Sequence, residues 1–517
     1  MSDFRTIDSI KSGLADCMQL AQAPAMNRLR DVLAASIRKL DEPMQLAIIG
    51  KISSSKSTLV NAILGKNELM STGQKEVTYN VGWLKYGDSS SDIVLHFKDG
   101  RPAQKKSRKE FDKLSVESNT ENLDEISYIE TFDDSEILKT INIIDTPGLD
   151  ALRGKDSQNT LDFISKVRPD AVVMLFTHSV SESILDVVRQ FNAGSDFTPL
   201  NAIGVLSKID VLWQETIPRT KSALDIGKKM VENKMKKDLT IKKSLFNLYP
   251  ISALLFMASS TITATDIDSI GQAYNESPDG WSKMLNSMPK FLGDESCSMP
   301  IEARKQLGDK LGLYGIYLIT QRFKQGGDTS LSAIKQLFFT ESGASEFSKS
   351  LHNHFGSRAK LIKIESIYQH LIQEIRRLKA SSQDVTVRSL LLNLEQKISD
   401  IFSSFVHEHK EYEMLNAIYG GELELDDDVV EEFKCLCGER GDSAPAKLGI
   451  ATMTDVNELL NVALSRERFW RKNIALEPDP EEREWMNVIL KSYSLLRNKI
   501  SEMKYRYEQA KSFLYNE

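Results

Sequence analysis

The chain has 517 residues, 41% hydrophobic and 27% charged, with 66 Lys and Arg against 73 Asp and Glu and a net charge of −7. That length exceeds one hydrophobic core and predicts roughly two or three units of ordinary globular composition. There is no basic tail or Lys/Arg run, which disfavours nucleic acid as a partner.

In chain order, residues 5–40 carry helical periodicity through Ile7, Ile10, Leu14, Leu29, Val32, Leu33 and Leu40, broken at Pro24. The N-terminus is polar and lacks the apolar core of a signal peptide. Nowhere does the chain approach the roughly 18 uninterrupted apolar residues of a spanning helix. A cytoplasmic location is expected. Cys17, Cys297, Cys435 and Cys437 lack metal-site spacing and read as free thiols. The pairs His352/His354 and His407/His409 lie two apart on predicted helices, so the members of a pair do not share a face and read as surface histidines.

Residues 45–64 read QLAIIGKISSSKSTLVNAIL. An apolar strand, Leu46–Ile49, stops at Gly50, and Lys56-Ser57-Thr58 opens a helical pattern at Leu59, Val60, Ile63 and Leu64. Strand, small-residue loop, Lys-Ser and helix make a phosphate-binding loop, in which backbone N–H groups and a lysine meet an anion. The pattern G-x-x-x-x-G-K-[ST] is met with one departure, Ser55 in place of the second glycine. Two further strand ends follow. Asn142–Gly148 reads as a strand closing in D-x-x-G, offering the Asp145 carboxylate near Mg²⁺ and the Gly148 N–H to a γ-phosphate. Ile203–Asp210 reads as a strand closing in S-K-x-D. There Asp210 can accept from guanine N1–H and the exocyclic amine, Lys208 lies along the base, and Ser207 ends the strand. Parallel α/β sheets bind ligands at these strand ends.

Together these motifs resemble those of dynamin-like large GTPases, most nearly the bacterial ones. Ser71–Thr78 resembles the switch I stretch T-G-x-x-x-V-T, followed by a hairpin opening at Leu84-Lys85-Tyr86-Gly87. Pro250-Ile251-Ser252-Ala253 resembles the strand end whose Ser-Ala touches guanine O6, and Ser342-Gly343 resembles the close of such GTPase domains. The resemblance is motif-level over roughly 45–260 and architectural beyond. It implies GTP and GDP as ligands and Mg²⁺ as cofactor. The cradle it implies is Gly50, Ser53, Ser54, Ser55, Lys56, Ser57 and Thr58. Ser57, Thr78 and Asp145 are the expected metal residues, Lys56, Thr78 and Ser53 the expected catalytic ones, and Ser207, Lys208, Asp210, Ser252 and Ala253 the base contacts. Ser53 matches the family's serine that helps hold a charge-compensating cation. Ile52 stands where eukaryotic members place a water-orienting glutamine, so hydrolysis is expected to be slow or partner-dependent.

Beyond the motifs, strand–helix alternation runs to Ser252: a strand near 171–176, a helix near 183–191, a strand at 203–206 and a helix near 219–235. Residues 254–340 read as short helices inserted within or beside the GTPase domain. From Leu361 the pattern is helix alone, through Ile364, Tyr368, Leu371, Ile375 and Leu378, prolonged by Val385, Leu392 and Phe402. A second seam runs Trp485, Ile489, Ser492, Leu496, Ile500, Met503, Tyr507, Ala510 and Leu514, as in a bundle or antiparallel coiled coil. The expected class is an α/β P-loop GTPase domain with a mostly parallel sheet, joined to an all-α neck and stalk. The expected divisions are 1–43 as neck helices, 44–355 as GTPase domain and 356–517 as neck and stalk. The stalk's turning end is placed near 412–453, with Met414, Leu415, Ile418, Tyr419 and Leu448-Gly449-Ile450 as its apolar groups.

Two functions fit. One is a GTPase that pairs through its nucleotide face, with itself or with another dynamin-like protein, to remodel or tether membrane as a peripheral protein on the inner face of the cell membrane. The other is a weakly hydrolysing, nucleotide-sensing module that regulates a partner.

Overall fold

The structure is a computed structural model. It describes residues 2–51, 54–66, 81–89, 92–107, 125–146, 169–177, 199–216, 219, 221–237, 241, 244–402, 406–421, 423–441, 443–450 and 455–515. The chain falls into two compact units, one of 44–197 with 201–349, the other of 1–43, 198–200 and 350–517.

The first unit is built on a nine-stranded sheet, ordered β4-β3-β5-β2-β6-β1-β7-β8-β9. Its centre is β1 (Met44–Gly50), β6 (Ile141–Asp145), β7 (Ala171–Phe176) and β8 (Ala202–Ser207), buried at every residue. Runs such as MQLAIIG and AVVMLF are apolar on both faces because helices cover both sides of a parallel sheet. β1 pairs in parallel with β6 and β7, and β8 with β7 and β9 (Asn247–Ile251). The register sets Gly50 opposite Leu175, Ile48 opposite Asp145 and Ser207 opposite Ile251. The carboxyl ends of four motif-bearing strands therefore share one edge.

The other flank is mixed. β2 (Val81–Tyr86) lies between β5 (Ile126–Asp133), parallel to it, and β6, antiparallel to it. β3 (Ile93–Phe97) pairs antiparallel with β5 and with β4 (Gln104–Lys106). The stretch expected to open a hairpin at Leu84–Gly87 does not: β2 takes both partners from farther along the chain. The buried Val81 and Trp83 show why, since an interior strand needs neighbours on both sides. The helix expected near 183–191 lies outside the described residues.

Residues 253–341 form a run of helices whose core, including Leu255, Trp281, Phe291, Leu311, Tyr314 and Phe338, is continuous with the sheet's. Thr263 and Asp266 close a reciprocal capping box at the start of Ala264–Glu276.

In the second unit, helices Ser2–Leu20 and Asn27–Lys39 share a core with Ser357–Ser381 and Val385–Phe402, built on Ile10, Leu14, Leu29, Leu33, Leu371, Ile375, Leu394 and Ile398. The predicted seams are shifted in places. Val385 and Leu392 are exposed, and Leu391 and Leu394 are buried instead. Along Pro480–Tyr515 the seam is buried at Ile489, Ser492 and Ile500, but Met503 and Tyr507 are exposed. The antiparallel partner Val456–Leu476 runs out there, where Lys504 Nζ donates to Asn457 Oδ1 at 2.7 Å. The side chains of Ala510 and Leu514 lie outside the described residues. In the expected turning end, Met414 and Leu415 are buried, at 6% and 2% exposure, on the helix Val406–Gly420. Among the described residues no helix is long and apolar enough to cross a membrane.

Candidate functional site

The phosphate loop leaves β1 at Gly50. A Cβ on Gly50 would sit 2.6 Å from Ser54 Oγ and 2.9 Å from Leu175 Cβ, so only glycine lets the loop fold back against β7. The loop ends at Ser55, whose φ of 69° and ψ of 31° are left-handed, the conformation that favours glycine here. The helix Lys56–Leu64 starts immediately, with Leu59 N donating to Ser55 O at 2.9 Å. Thr58 lies in its first turn.

Lys56 is 92% buried, and its ammonium donates to the carbonyls of Gly50 at 3.2 Å and Lys51 at 2.9 Å. It is thus held over the loop by weak backbone acceptors that an incoming phosphate can replace. Ser54 Oγ is buried without a hydrogen-bond partner among the described residues. Such an orphan is what an absent ligand leaves behind.

Beside the loop, Ser57 Oγ donates to Asp145 Oδ2 at 2.8 Å. Asp145 is 1% exposed and its Oδ1 has no hydrogen-bond partner among the described residues. Burial raises its carboxyl pKa to about 6, against the lowering effects of the Lys56 charge and the Ser57 hydroxyl. A buried carboxylate oxygen next to a hydroxyl fits a hard divalent cation such as Mg²⁺. Thr146 locks this strand end in place, its Oγ1 donating to Ile48 O at 2.8 Å. That contact follows from the β1–β6 register and carries no separate sequence signal. Ile52, Ser53, Thr78 and Gly148 lie outside the described residues.

The end of the site expected to face a base is built on β8 and β9. Ser207 Oγ donates to Phe176 O at 3.1 Å, tying β8 to β7. Lys208 has φ 61°, so Ser55 and Lys208 are the non-glycine residues with positive φ among the described residues. Both stand where a strand turns into a helix at the candidate site. Backbone strain of this kind gathers at functional turns, and spacing alone does not reveal it at Lys208. Asp210 is 9% exposed, and burial raises its pKa while a hydrogen bond with the Ser252 hydroxyl opposes the rise. The structure thus brings together the Asp and Ser that the motifs placed far apart in sequence. Ala253, buried, starts the helix Ala253–Thr261, which Ser252 caps by accepting from Leu255 N at 3.2 Å.

Residues outside the motifs support this end. Ser252 N donates to Ser342 O at 3.0 Å. Gly343 has φ 79°, and a Cβ there would lie 2.1 Å from Pro250 O. Ser342-Gly343 is therefore a backbone clasp on β9. Trp213, fully buried on the helix Ile209–Glu215 that carries Asp210, packs 4.9 Å from Tyr314 and 4.6 Å from Tyr317. The helices of 253–341 thereby brace the helix that carries Asp210.

Residues 46–209 match the model of the Dynamin family. The isoniazid-induced protein IniC of Mycobacterium tuberculosis is 24% identical over 486 residues, 91% of this chain and 94% of its own length. Dynamin-like protein 2 of Campylobacter jejuni is 27% identical over 214 residues, 41% of this chain and 34% of its own length. A solved bacterial dynamin pair, described as oligomerised and as sensing and tethering membranes over long range, shares 13% identity with a TM-score of 0.35 across 95% of this chain and 90% of that one. The sequence match falls on the strands that carry the three motifs, so residues 46–209 are similar to the GTPase domain of dynamin-like proteins.

Proposed function

We propose that Gly50, Ser54, Ser55, Lys56, Ser57 and Thr58 cradle the phosphates of GTP, with Asp210, Lys208, Ser207, Ser252 and Ala253 at the guanine. The observation that supports this most directly is the shared edge: Gly50, Asp145, Ser207 and Ile251 all end parallel strands on one side of the sheet. Ser57 and Asp145, with Thr78, would hold Mg²⁺, which when bound supplies positive charge at the β- and γ-phosphate oxygens. The chain's own residues position and neutralise charge. The Lys56 ammonium leaves the loop carbonyls for phosphate oxygens, and Ser53 helps hold a compensating cation. The loop N–H groups orient the chain of phosphates, and Gly148 donates its N–H to the γ-phosphate. No side chain forms a covalent bond in such a reaction.

Hydrolysis is slow or partner-dependent in this reading, because Ile52 cannot orient water and Ser55 in a left-handed turn costs about 1–2 kcal/mol. Residues 44–355 act as the GTPase domain, with 254–340 an insertion into it, and 1–43 and 356–517 as neck and stalk. Pairing through nucleotide faces, with a second copy or another dynamin-like protein, completes the catalytic geometry and drives tethering or remodelling of membrane from the cytoplasm. The match of residues 46–209 to the Dynamin family model supports that role. A weakly hydrolysing regulatory module is the second reading, favoured by the burial of Met414 and Leu415, which removes two of the apolar groups expected to contact lipid.

A GTPase assay across protein concentration, with and without liposomes, separates the two, with Lys56→Ala as the nucleotide-free control. Specific activity that rises with concentration or lipid supports pairing and membrane action. Flat activity together with no sedimentation on liposomes leaves the regulatory module.

A further inference from the structure

In the helical unit, a cleft of about 610 Å³ lies between the helices Val406–Gly420 and Pro480–Tyr515. That is within the size range of sites for small organic ligands, roughly 300–1,000 Å³. Its lining is unusual for a chain whose net charge is −7. Lys410 comes from one helix, and Arg483 and Lys491 from the other. The carboxylate that lines it, Glu484, lies 3.5 Å from Lys410 on the exposed rim. Neither Arg483 nor Lys491 has a carboxylate partner among the described residues. Among the described residues the Arg483 guanidinium is held only by backbone oxygens, Pro478 O at 3.3 Å and Asp479 O at 3.4 Å.

The rest of the wall is of a different character. Pro480 and Val488 supply an apolar surface. His407 is turned into its own network, its Nε2 lying 2.9 Å from Ser492 Oγ and 3.2 Å from Glu411. The positive character of the cleft therefore rests on Lys410, Arg483 and Lys491. A planar guanidinium fork recognises two oxygens of a phosphate at once, and lysines add point charges around it. An apolar wall beside such a group suits a ligand with a carbon body.

We propose that this cleft binds an organic phosphate, with Arg483 and Lys491 as its principal contacts and Lys410 at the rim. The site is separate from the nucleotide-binding edge of the sheet and does not rest on the proposed membrane role. The phosphate can come from a soluble ester or from a lipid headgroup, and both present the same chemistry to the three cations.

The test uses the full chain saturated with GDP, so that the phosphate loop is filled. Fructose 1,6-bisphosphate is titrated calorimetrically, and sedimentation is measured on phosphatidylcholine vesicles with and without phosphatidylglycerol. Work at about 0.1 M salt keeps long-range attraction screened. The variant is Arg483→Gln with Lys491→Gln. The control is Lys472→Gln with Lys499→Gln, which removes the same charge from exposed helix positions outside the cleft. Expected is binding of at least one probe, weakened about tenfold or more in the cleft variant and unchanged in the control. Response to the sugar phosphate alone assigns a soluble ester, and response to phosphatidylglycerol alone assigns a headgroup. Circular dichroism melts of both variants should match the native chain, as all four positions are exposed. Binding of neither probe by the native chain, or equal loss in cleft variant and control, overturns the proposal.

Discussion

Asp145 at the motif-bearing edge of the sheet and Glu432 in the helical unit hold their carboxylates in opposite ways. Glu432 and Glu374 of the helical unit are held by several donors each. Glu432 accepts from Arg466, from Trp470 Nε1 at 2.9 Å and from Tyr493 OH at 2.6 Å. Glu374, 3% exposed, has Arg377 at 2.8 Å and Arg28 at 3.0 Å. At the sheet edge, Asp145 is as deeply buried and keeps an oxygen with no hydrogen-bond partner among the described residues, and so does the Ser54 hydroxyl. An unsatisfied buried polar atom costs roughly 1–3 kcal/mol. A carboxylate held like Glu432 ties helices together, whereas the Asp145 oxygen and the Ser54 hydroxyl hold stability in reserve for a ligand to release.

Removing a saturated carboxylate should do the most damage. Glu432→Ala strands three donors and is expected to lower stability by about 2–4 kcal/mol, read by urea unfolding, with GTP affinity unchanged. A matching loss of GTP affinity would break the contrast between the regions.

The opposite sign is expected at Asp145. Its folded pKa of about 6 lies above the unfolded value of 3.8, so the folded state binds the extra proton. In nucleotide-free, metal-free protein the ionised carboxyl therefore costs stability above pH 6, up to about 3 kcal/mol for a shift of about two units. Asp145→Asn should be more stable than the native chain at pH 7. That advantage should shrink as pH falls through about 6 towards 4, where the native carboxyl becomes neutral. Thermal melts across pH read both, and an Asn variant no more stable at pH 7 would show that Asp145 is already satisfied.

Specificity sharpens the comparison at the base end. Asp210→Asn should weaken GTP by about 10–100-fold, roughly 1.4–2.8 kcal/mol, and favour xanthosine nucleotides, whose O2 can accept from the amide. Equal affinity of the native chain for ATP and GTP by calorimetry would remove Asp210 from the base. The smallest effect belongs to the backbone. Ser55→Gly relieves a left-handed turn at φ 69° and should tighten GTP by about 1–2 kcal/mol. Unchanged or weaker binding would mean the loop has adapted around the serine.

Local patterns carried the strand ends well. β1, β7 and β8 are where apolar runs placed them, and Gly50, Lys56, Ser57, Asp145 and Asp210 come together at one edge because parallel strands end in step. The flanking strand β2 was legible only as a strand. Its partners β5 and β6 are distant in sequence, and an apolar run does not say what it pairs with.

The helical seams show the same limit. Periodicity places Ile364, Leu371, Ile489 and Ile500 in the core, but it also nominates Val385, Leu392, Met503 and Tyr507, all exposed. A helix covers a neighbour only for its own length, and a one-position rotation exchanges Leu392 for Leu391.

By itself the amino-acid sequence determined which groups stand at the strand ends: a lysine, a serine and two aspartates, since each motif is a few adjacent residues with a local geometric need. Tertiary structure alone decided which buried polar atoms are satisfied, which apolar faces are covered, and that Gly343 must pass within van der Waals reach of the Pro250 carbonyl. Those outcomes depend on distant segments arriving at the same place, and no window of adjacent residues holds that information.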